Sequence, residues 1–297
     1  MKFLLYGWNG WIGQQIVELL KDYDYVCGNS RLENYNALEA EILSIKPTHI
    51  ITTTGRTHGE IGDKKYTTID YLEQKGKIKD NVRDNLFGPV VLALLCKKYN
   101  IHLTYLGTGC IFEYDKQHPF GVEQDGFTED DRPNFFGSGY SVVKGYTDEL
   151  LHLFDNVLNC RIRMPITNSP NPRNFITKIT NYKKICSIPN SMTVLNDILP
   201  LMIDMAKKNI TGTYNMTNPG LISHNQVLEL YREIVDHNFK WENFSIEEQT
   251  QILAAGRSNN YLDTTKLSEL YPQLTDIKTS IRNVMKNYKN ELDKGCS

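Results

Sequence analysis

Short apolar runs that close on glycine or threonine alternate with amphipathic stretches through the first 165 residues. The run Lys2–Gly7 leads into a glycine-rich turn and then the amphipathic stretch Gln14–Leu20. This pattern predicts strand, tight turn, helix. Asp24–Gly28 reads as a second strand and Leu38–Ile45 as a helix stopped at Pro47. His49–Thr54 is a β-branched third strand that ends at Gly55. A long helix is predicted over Asp80–Tyr99, a fourth strand over Ile101–Leu106, a helix over Ser138–Phe154, and a fifth strand over Val157–Met164, closed by Pro165. Strand and helix in regular alternation predict an α/β fold with a doubly wound parallel sheet.

Past residue 165 the alternation loosens. Asn168-Ser169-Pro170-Asn171-Pro172 is a cluster of chain breakers. Helices are predicted over Arg173–Tyr182 and Leu195–Lys207, and a short strand over Gly212–Met216. The expected organisation is a nucleotide-binding domain over 1–165, rejoined by 192–217. A smaller, mostly helical C-terminal substrate-binding part is expected from 166–191 and 218–297. The polar loop Glu113–Gly137 is long for a compact domain and reads as a lid or binding loop.

Chemistry enters at the strand ends. The first turn reads Gly7-Trp8-Asn9-Gly10-Trp11-Ile12-Gly13. Glycines between a strand and a helix let backbone approach a pyrophosphate, whose charge the helix N-terminus stabilises. At the second strand end stand Asn29-Ser30-Arg31 in place of an acidic residue. A hydroxyl and a guanidinium suit a 2′-phosphate, which favours NADPH over NADH. Thr53, Thr54 and Gly55 fall at the carboxyl edge of the sheet, beside the nucleotide. His58, in the polar loop that follows, reads as a surface loop residue. Thr108 closes the fourth strand, and Tyr140-x-x-x-Lys144 lies on the following helix. Tyr140 and Lys144, four apart, share a helix face. A lysine cation beside a phenol favours the phenolate, so the set suits proton delivery to a ketone. Cys110 stands two residues past Thr108. It is either a small buried residue or a thiol acid/base.

Composition narrows the picture by exclusion. Of 297 residues, 40% are apolar, enough for a sizeable core. The formal net charge of −2 gives no general reason to expect nucleic-acid or membrane binding. The N-terminal apolar run is too short for a signal-peptide core. Cysteines stand at 27, 96, 110, 160, 186 and 296 with no Cys-x-x-Cys pair, so no metal site is expected and a reducing, cytoplasmic setting fits.

The glycine turn, Thr108 and Tyr140-x-x-x-Lys144 resemble the extended short-chain dehydrogenase/reductases that act on nucleotide sugars, a Rossmann-type superfamily. Longer blocks narrow the resemblance. Among them are Thr108-Gly109-Cys110-Ile111-Phe112-Glu113-Tyr114-Asp115, Arg161-Ile162-Arg163-Met164-Pro165-Ile166, Asn171-Pro172-Arg173-Asn174-Phe175-Ile176-Thr177-Lys178 and Arg257-Ser258-Asn259-Asn260. They resemble the bifunctional UDP-4-keto-6-deoxy-D-glucose 3,5-epimerase/4-reductases, which are similar to dTDP-4-dehydrorhamnose reductases. The resemblance implies that Thr108, Tyr140 and Lys144 form the reductase set and that Cys110 and Lys178 are the acid/base pair of epimerisation. It further implies Asn85, Met164 and Pro165 near the cofactor, and Arg173, Asn174 and Arg257 toward a UDP-sugar, UDP-4-keto-6-deoxyglucose. A homodimer is compatible with it. Residues 54–60 depart from the family's Ala-Gly-rich version, which leaves substrate contacts there open. Two other readings stand beside this one: a 4-reductase alone, and a non-catalytic regulatory subunit on the same fold.

Overall fold

The computed structural model describes residues 1–295, so Cys296 lies outside the described residues. Six parallel strands form the central sheet: β1 (Lys2–Tyr6), β2 (Asp24–Cys27), β3 (His49–Thr52), β4 (His102–Thr108), β5 (Val157–Ile162) and β6 (Gly212–Asn215). Their order is β6-β5-β4-β3-β1-β2. The direction of winding reverses between β1 and β3, which opens a crevice at the carboxyl ends of these strands.

Helices cover both faces, and this explains why β3 and β5 are buried along their whole length. On one face α1 (Trp11–Leu20) and a later helix (Leu195–Lys207) bring Ile16, Leu20, Ile198 and Met202 onto Phe3, Leu5 and Leu158. On the other, α2 (Tyr35–Ile45), α3 (Gly88–Lys98) and α4 (Gly139–Leu151) pack Leu38, Leu92, Leu95 and Leu151 against Leu4, Ile50 and Leu103. With the Leu195–Lys207 helix counted as α6, a separate apolar core gathers α5 (Phe175–Thr180), α7 (His224–Ile234) and α8 (Ile277–Gly295) around Ile176, Val194, Leu228 and Ile281.

The first turn needs its glycines. Gly7 has φ +76°, and a Cβ there would meet the Thr53 hydroxyl at 2.6 Å. A Cβ on Gly13 would come within 2.1 Å of the Gly7 carbonyl oxygen, so α1 reaches β1 this closely only without a side chain.

Three elements differ from the sequence expectation. The helix expected over 80–99 is a run of three segments: Ile78–Val82, a π-helical turn Arg83–Phe87, and α3. A β-hairpin, Gly59–Ile61 with Lys64–Tyr66, occupies the segment read as loop. The long loop 113–137 is anchored by a bridge between Phe127 and Leu262, and His118 stacks on Phe127 with ring centroids 3.7 Å apart.

Candidate active site

The sheet crevice opens into a cavity of about 520 Å³, a size typical of small-molecule sites. At one end its wall is Gly10, Trp11, Ile12 and Gly13, with Thr53, Thr54 and Gly55 beside them. Gly10 caps α1 without a side-chain bond, so the first-turn amides face outward. An uncapped helix N-terminus against a glycine turn fits a dinucleotide pyrophosphate. Gly7 and Asn9 lie off this wall. Gly7 holds the turn from behind, its carbonyl accepting from the Thr53 hydroxyl at 3.0 Å.

Ser30 and Arg31 also lie outside the cavity wall. The nearby acid, Glu41, is engaged locally: it accepts from the backbone N–H groups of Asn29 (2.8 Å) and Ser30 (3.1 Å) and from the Tyr6 hydroxyl (2.8 Å). These bonds hold its carboxyl below the usual range despite burial. Arg31 is largely exposed and pairs with Glu33 at 3.1 Å. Asp84 draws Arg31, Arg56 and Arg83 together, three guanidiniums around one carboxylate.

Asn85 reaches the wall from the π-helical turn. Its amide accepts from the Arg56 N–H and donates to the Arg56 carbonyl, both at 2.8 Å, and donates to Asn81 at 2.8 Å. The Thr147 hydroxyl of α4 donates to the Asn85 carbonyl of the π turn at 2.6 Å. The cofactor wall and the Tyr140 helix are thereby joined.

Thr108, Cys110, Tyr140 and Lys144 line the middle of the same cavity. The Thr108 hydroxyl accepts from the Cys110 N–H at 3.1 Å, which folds the strand end back on itself. Ser138 caps α4, and the Glu73 carboxylate accepts from the Gly139 N–H at 2.7 Å, at the positive end of the helix. The Ser141 hydroxyl donates to the Cys110 carbonyl at 2.6 Å, tying the two chemical segments together. One turn beyond Lys144, Asp148 accepts from Arg161 of β5 at 2.6 and 3.0 Å, and from Asn159 at 2.7 Å.

Here the structure corrects one expectation. Lys144 does not bring the Tyr140 phenol down. Burial pushes that phenol up, the nearby Cys110 adds to the shift, and only the bond to Thr108 opposes it. The Lys144 ammonium instead donates to the hydroxyl of Tyr105, a buried residue of β4. Burial lowers Lys144 itself to about 8. The i, i+4 spacing put the two side chains on one face, but a third side chain in the adjacent strand takes the cation.

The remaining wall comes from the chain after β5. Met164 and Pro165 follow the strand directly, Met164 with φ +41°. Lys178 projects from α5, and its amine is lowered by burial and by the charges of Arg173 and Arg257. Arg173 faces His58 across the cavity, with Nη1 3.0 Å from Nδ1. His58 is therefore a half-buried wall residue rather than a surface one. Arg257 donates to Asp70 at 2.5 Å and to the Ala255 carbonyl at 2.8 Å. Asn174 is brought elsewhere. It is buried, caps α5 through the Ile176 N–H, and donates to the carbonyls of Thr167 and Ser169 at 2.9 Å. Its amide is consumed by the breaker cluster, and it does not line the cavity.

Sequence reasoning passed over Tyr105, Ser141, Arg163 and His224. Tyr105 stands next but two to Thr108 in the same strand, and Ser141 adjoins Tyr140; both signals are readable. Arg163 is fully buried beneath Cys110, donating to Gly109, Asn190 and Ser258. His224 is a cavity residue whose imidazole burial lowers to about 4. Nothing in their local sequence marks either one. Among the described residues no group of three His, Cys, Asp or Glu side chains could hold a metal ion, and no helix is long and apolar enough to cross a membrane.

A glycine turn opening onto a helix, with a strand-end threonine and Tyr-x-x-x-Lys around one cavity, defines a nicotinamide-dependent enzyme of the short-chain dehydrogenase type. No protein-family model matches the chain. The crystal structure of the L780 UDP-rhamnose synthase from Acanthamoeba polyphaga mimivirus is similar at 56% identity and a TM-score of 0.92, covering 97% of this chain and 99% of that one. A bifunctional dTDP-4-dehydrorhamnose 3,5-epimerase/reductase of Arabidopsis thaliana is 45% identical over 94% of this chain and 90% of its own length. A dTDP-4-dehydrorhamnose reductase from Bacillus anthracis, in complex with NADP, shares the fold at a TM-score of 0.75 and 21% identity, covering 96% of this chain and 99% of that one. The chain spans only 41% of the length of the trifunctional Arabidopsis UDP-rhamnose enzyme it matches at 45% identity over 95% of its own residues. The chain belongs to the family of nucleotide-sugar 3,5-epimerase/4-reductases that form the activated rhamnose sugar.

Proposed function

We propose that this enzyme converts UDP-4-keto-6-deoxy-D-glucose to UDP-β-L-rhamnose with NADPH, inverting C3 and C5 before reducing C4. The observation that carries the reading is that Cys110 and Lys178, from separate elements, share one cavity with Thr108, Tyr140 and Lys144.

The C4 ketone acidifies the hydrogens on C3 and C5. Inversion at each carbon needs a base on one face of the sugar and an acid on the other. Cys110 adjoins the residue that holds the ketone oxygen. Lys178 arrives from α5, and the surroundings that lower its amine favour the neutral form that a base needs. Proton removal gives an enolate, and return of a proton from the other side inverts the centre. Arg173 and Arg257 border this part of the cavity and suit the diphosphate. Binding it would draw each away from its partner, His58 or Asp70.

The first-turn glycines and Thr53–Gly55 would hold the cofactor, which when bound supplies the hydride for C4. The chain's own part in reduction is to orient the ketone at Thr108 and give the Tyr140 proton to the C4 oxygen. The raised Tyr140 keeps that proton until negative charge develops on the oxygen. Loss of the ketone then fixes both inverted centres. Arg31, with no free carboxylate at the end of β2, favours the 2′-phosphate of NADPH over NADH. The unpaired cysteines at 27, 96, 110, 160 and 186 suit a reducing, cytoplasmic setting.

The test is a single reaction in D₂O with UDP-4-keto-6-deoxyglucose and NADPH, the product sugar examined by NMR. An L-rhamnosyl product carrying deuterium at C3 and C5 is the expected result. A D-sugar without deuterium would reduce the chain to a 4-reductase. No turnover, with UDP- or dTDP-linked substrate, would favour the regulatory reading.

A further inference from the structure

The mechanism above leaves one strong contact unused. Lys144 is a buried ammonium, 5% exposed, and its hydrogen bond goes to the hydroxyl of Tyr105, which is 1% exposed. The same Nζ lies 4.5 Å from the Tyr105 ring centroid. A desolvated ammonium tends to lose its proton unless a partner holds it. The carboxylate nearest in sequence, Asp148, has both oxygens engaged by the guanidinium of Arg161, and one also by Asn159. It acts on Lys144 through charge alone.

We propose that Tyr105 is a positioning residue for reduction: its phenol oxygen accepts one N–H of Lys144, keeps that group protonated, and leaves the other N–H bonds directed at the cavity. The assignment rests on the reductase reading given above and deepens it. A phenol suits this task better than a carboxylate. It accepts a hydrogen bond while remaining neutral, because burial and the proximity of Tyr140 and Asp148 oppose its ionisation. The lysine charge is therefore not cancelled by an ion pair and acts on whatever the cavity holds. Geometry supports the fit. Tyr105 and Leu103 project from the face of β4 that α4 covers, whereas Thr108 closes the strand at its carboxyl end and lines the cavity. One strand thus supplies the ketone-holding hydroxyl at its tip and the lysine-holding hydroxyl three residues inside.

The distinction from a core tyrosine with an incidental contact is experimental. The Tyr105→Phe variant is compared with the unaltered enzyme in two assays. One follows NADPH consumption with the already epimerised 4-keto-L-rhamnosyl nucleotide across pH; the other follows deuterium entry at C3 and C5 of the unepimerised 4-keto nucleotide. Reduction is expected to fall by on the order of ten-fold or more, the usual weight of a hydrogen bond to a charged group. Its high-pH limb is expected to move to lower pH, since an unsupported ammonium gives up its proton sooner, while deuterium entry is unchanged. An unchanged rate and limb, or an equal fall in both assays, would overturn the assignment. Should Tyr105→Phe fail to fold, the double variant Tyr105→Phe/Lys144→Met strands no ammonium. Its residual reduction should equal that of Lys144→Met alone, and a further loss would again overturn the role. Absence of reduction or deuterium entry in the unaltered enzyme would sink the parent reading instead, which the paired assays separate from failure of Tyr105.

Discussion

The two halves of the proposed chemistry are built differently. The residues proposed for reduction come from one strand–loop–helix unit, β4 to α4, and are fixed from several sides. Glu73 and Ser138 hold the start of the helix, Ser141 ties it to the Cys110 loop, and Asp148 locks it to β5. The pair proposed for epimerisation has no such unit. Cys110 belongs to the strand end, but Lys178 comes from the six-residue helix α5, brought to the cavity by a core that the sheet does not share. Reduction demands one fixed geometry between ketone, phenol and hydride donor. Inversion at two carbons demands acid and base on separate supports, so that a sugar ring can sit between them.

The largest expected effect separates the two halves. Tyr140→Phe removes the proton donor and should lower reduction by roughly 100- to 10,000-fold. Deuterium entry at C3 and C5 should continue, since nothing in that half needs the phenol. If exchange stops as well, the two halves share a group and the division fails. Lys178→Met is the mirror experiment. Exchange should fall by about 100-fold or more, while NADPH consumption with an already epimerised 4-keto sugar persists. Cys110→Ser should behave in the same way. A variant of either kind that loses both activities points to shared machinery.

The unequal construction also explains what could be read from the chain. Thr108 and Tyr140-x-x-x-Lys144 are legible because a strand end and a helix turn translate spacing into placement. The glycine turn is legible for the same reason: Gly7 and Gly13 tolerate no Cβ. Parallel strands and their helices followed from alternation alone. What could not be read was tertiary. Lys178 looks like any helix lysine until α5 is packed, and only the family resemblance marked it. The diversion of Lys144 to Tyr105 depends on the register of β4 against α4, which no local pattern states. Asn174 was drawn to the substrate by the company of Arg173, yet its role is to cap α5. His58 sits in a polar loop by composition, and it becomes a wall residue only because a hairpin folds the segment over the cavity.

Rigidity of the reductase unit is itself testable. Arg161 is fully buried and forms a two-bond pair with Asp148 at the base of the Tyr140 helix. Arg161→Leu strands that carboxylate and should cost about 3–5 kcal/mol of stability, read as a lower urea midpoint. If the midpoint holds while reduction falls, the pair orients the helix without stabilising the fold. If neither changes, the anchoring described for α4 is wrong.

The smallest effect concerns tuning in the epimerase half. Burial comes first, and the charges of Arg173 and then Arg257 add to it, in holding the Lys178 amine below its ordinary value. A base works in its neutral form, so exchange should rise with pH through the Lys178 value. Removing a neighbouring positive charge stabilises the ammonium, raises that value and moves the rising limb to higher pH. With substrate saturating, so that the diphosphate contact proposed for Arg173 does not enter the rate, Arg173→Gln should therefore slow deuterium entry at neutral pH by less than about ten-fold, since a ten-fold loss corresponds to a full pKa unit, and the loss should vanish at high pH. The high-pH limb of reduction, assigned to Lys144, should stay where it is. A limb of exchange that does not move, or one that falls to lower pH, would mean that Lys178 acts as the acid of the pair, with Cys110 as the base. A matching move in the reduction profile would mean that the two halves are coupled electrostatically despite their separate supports.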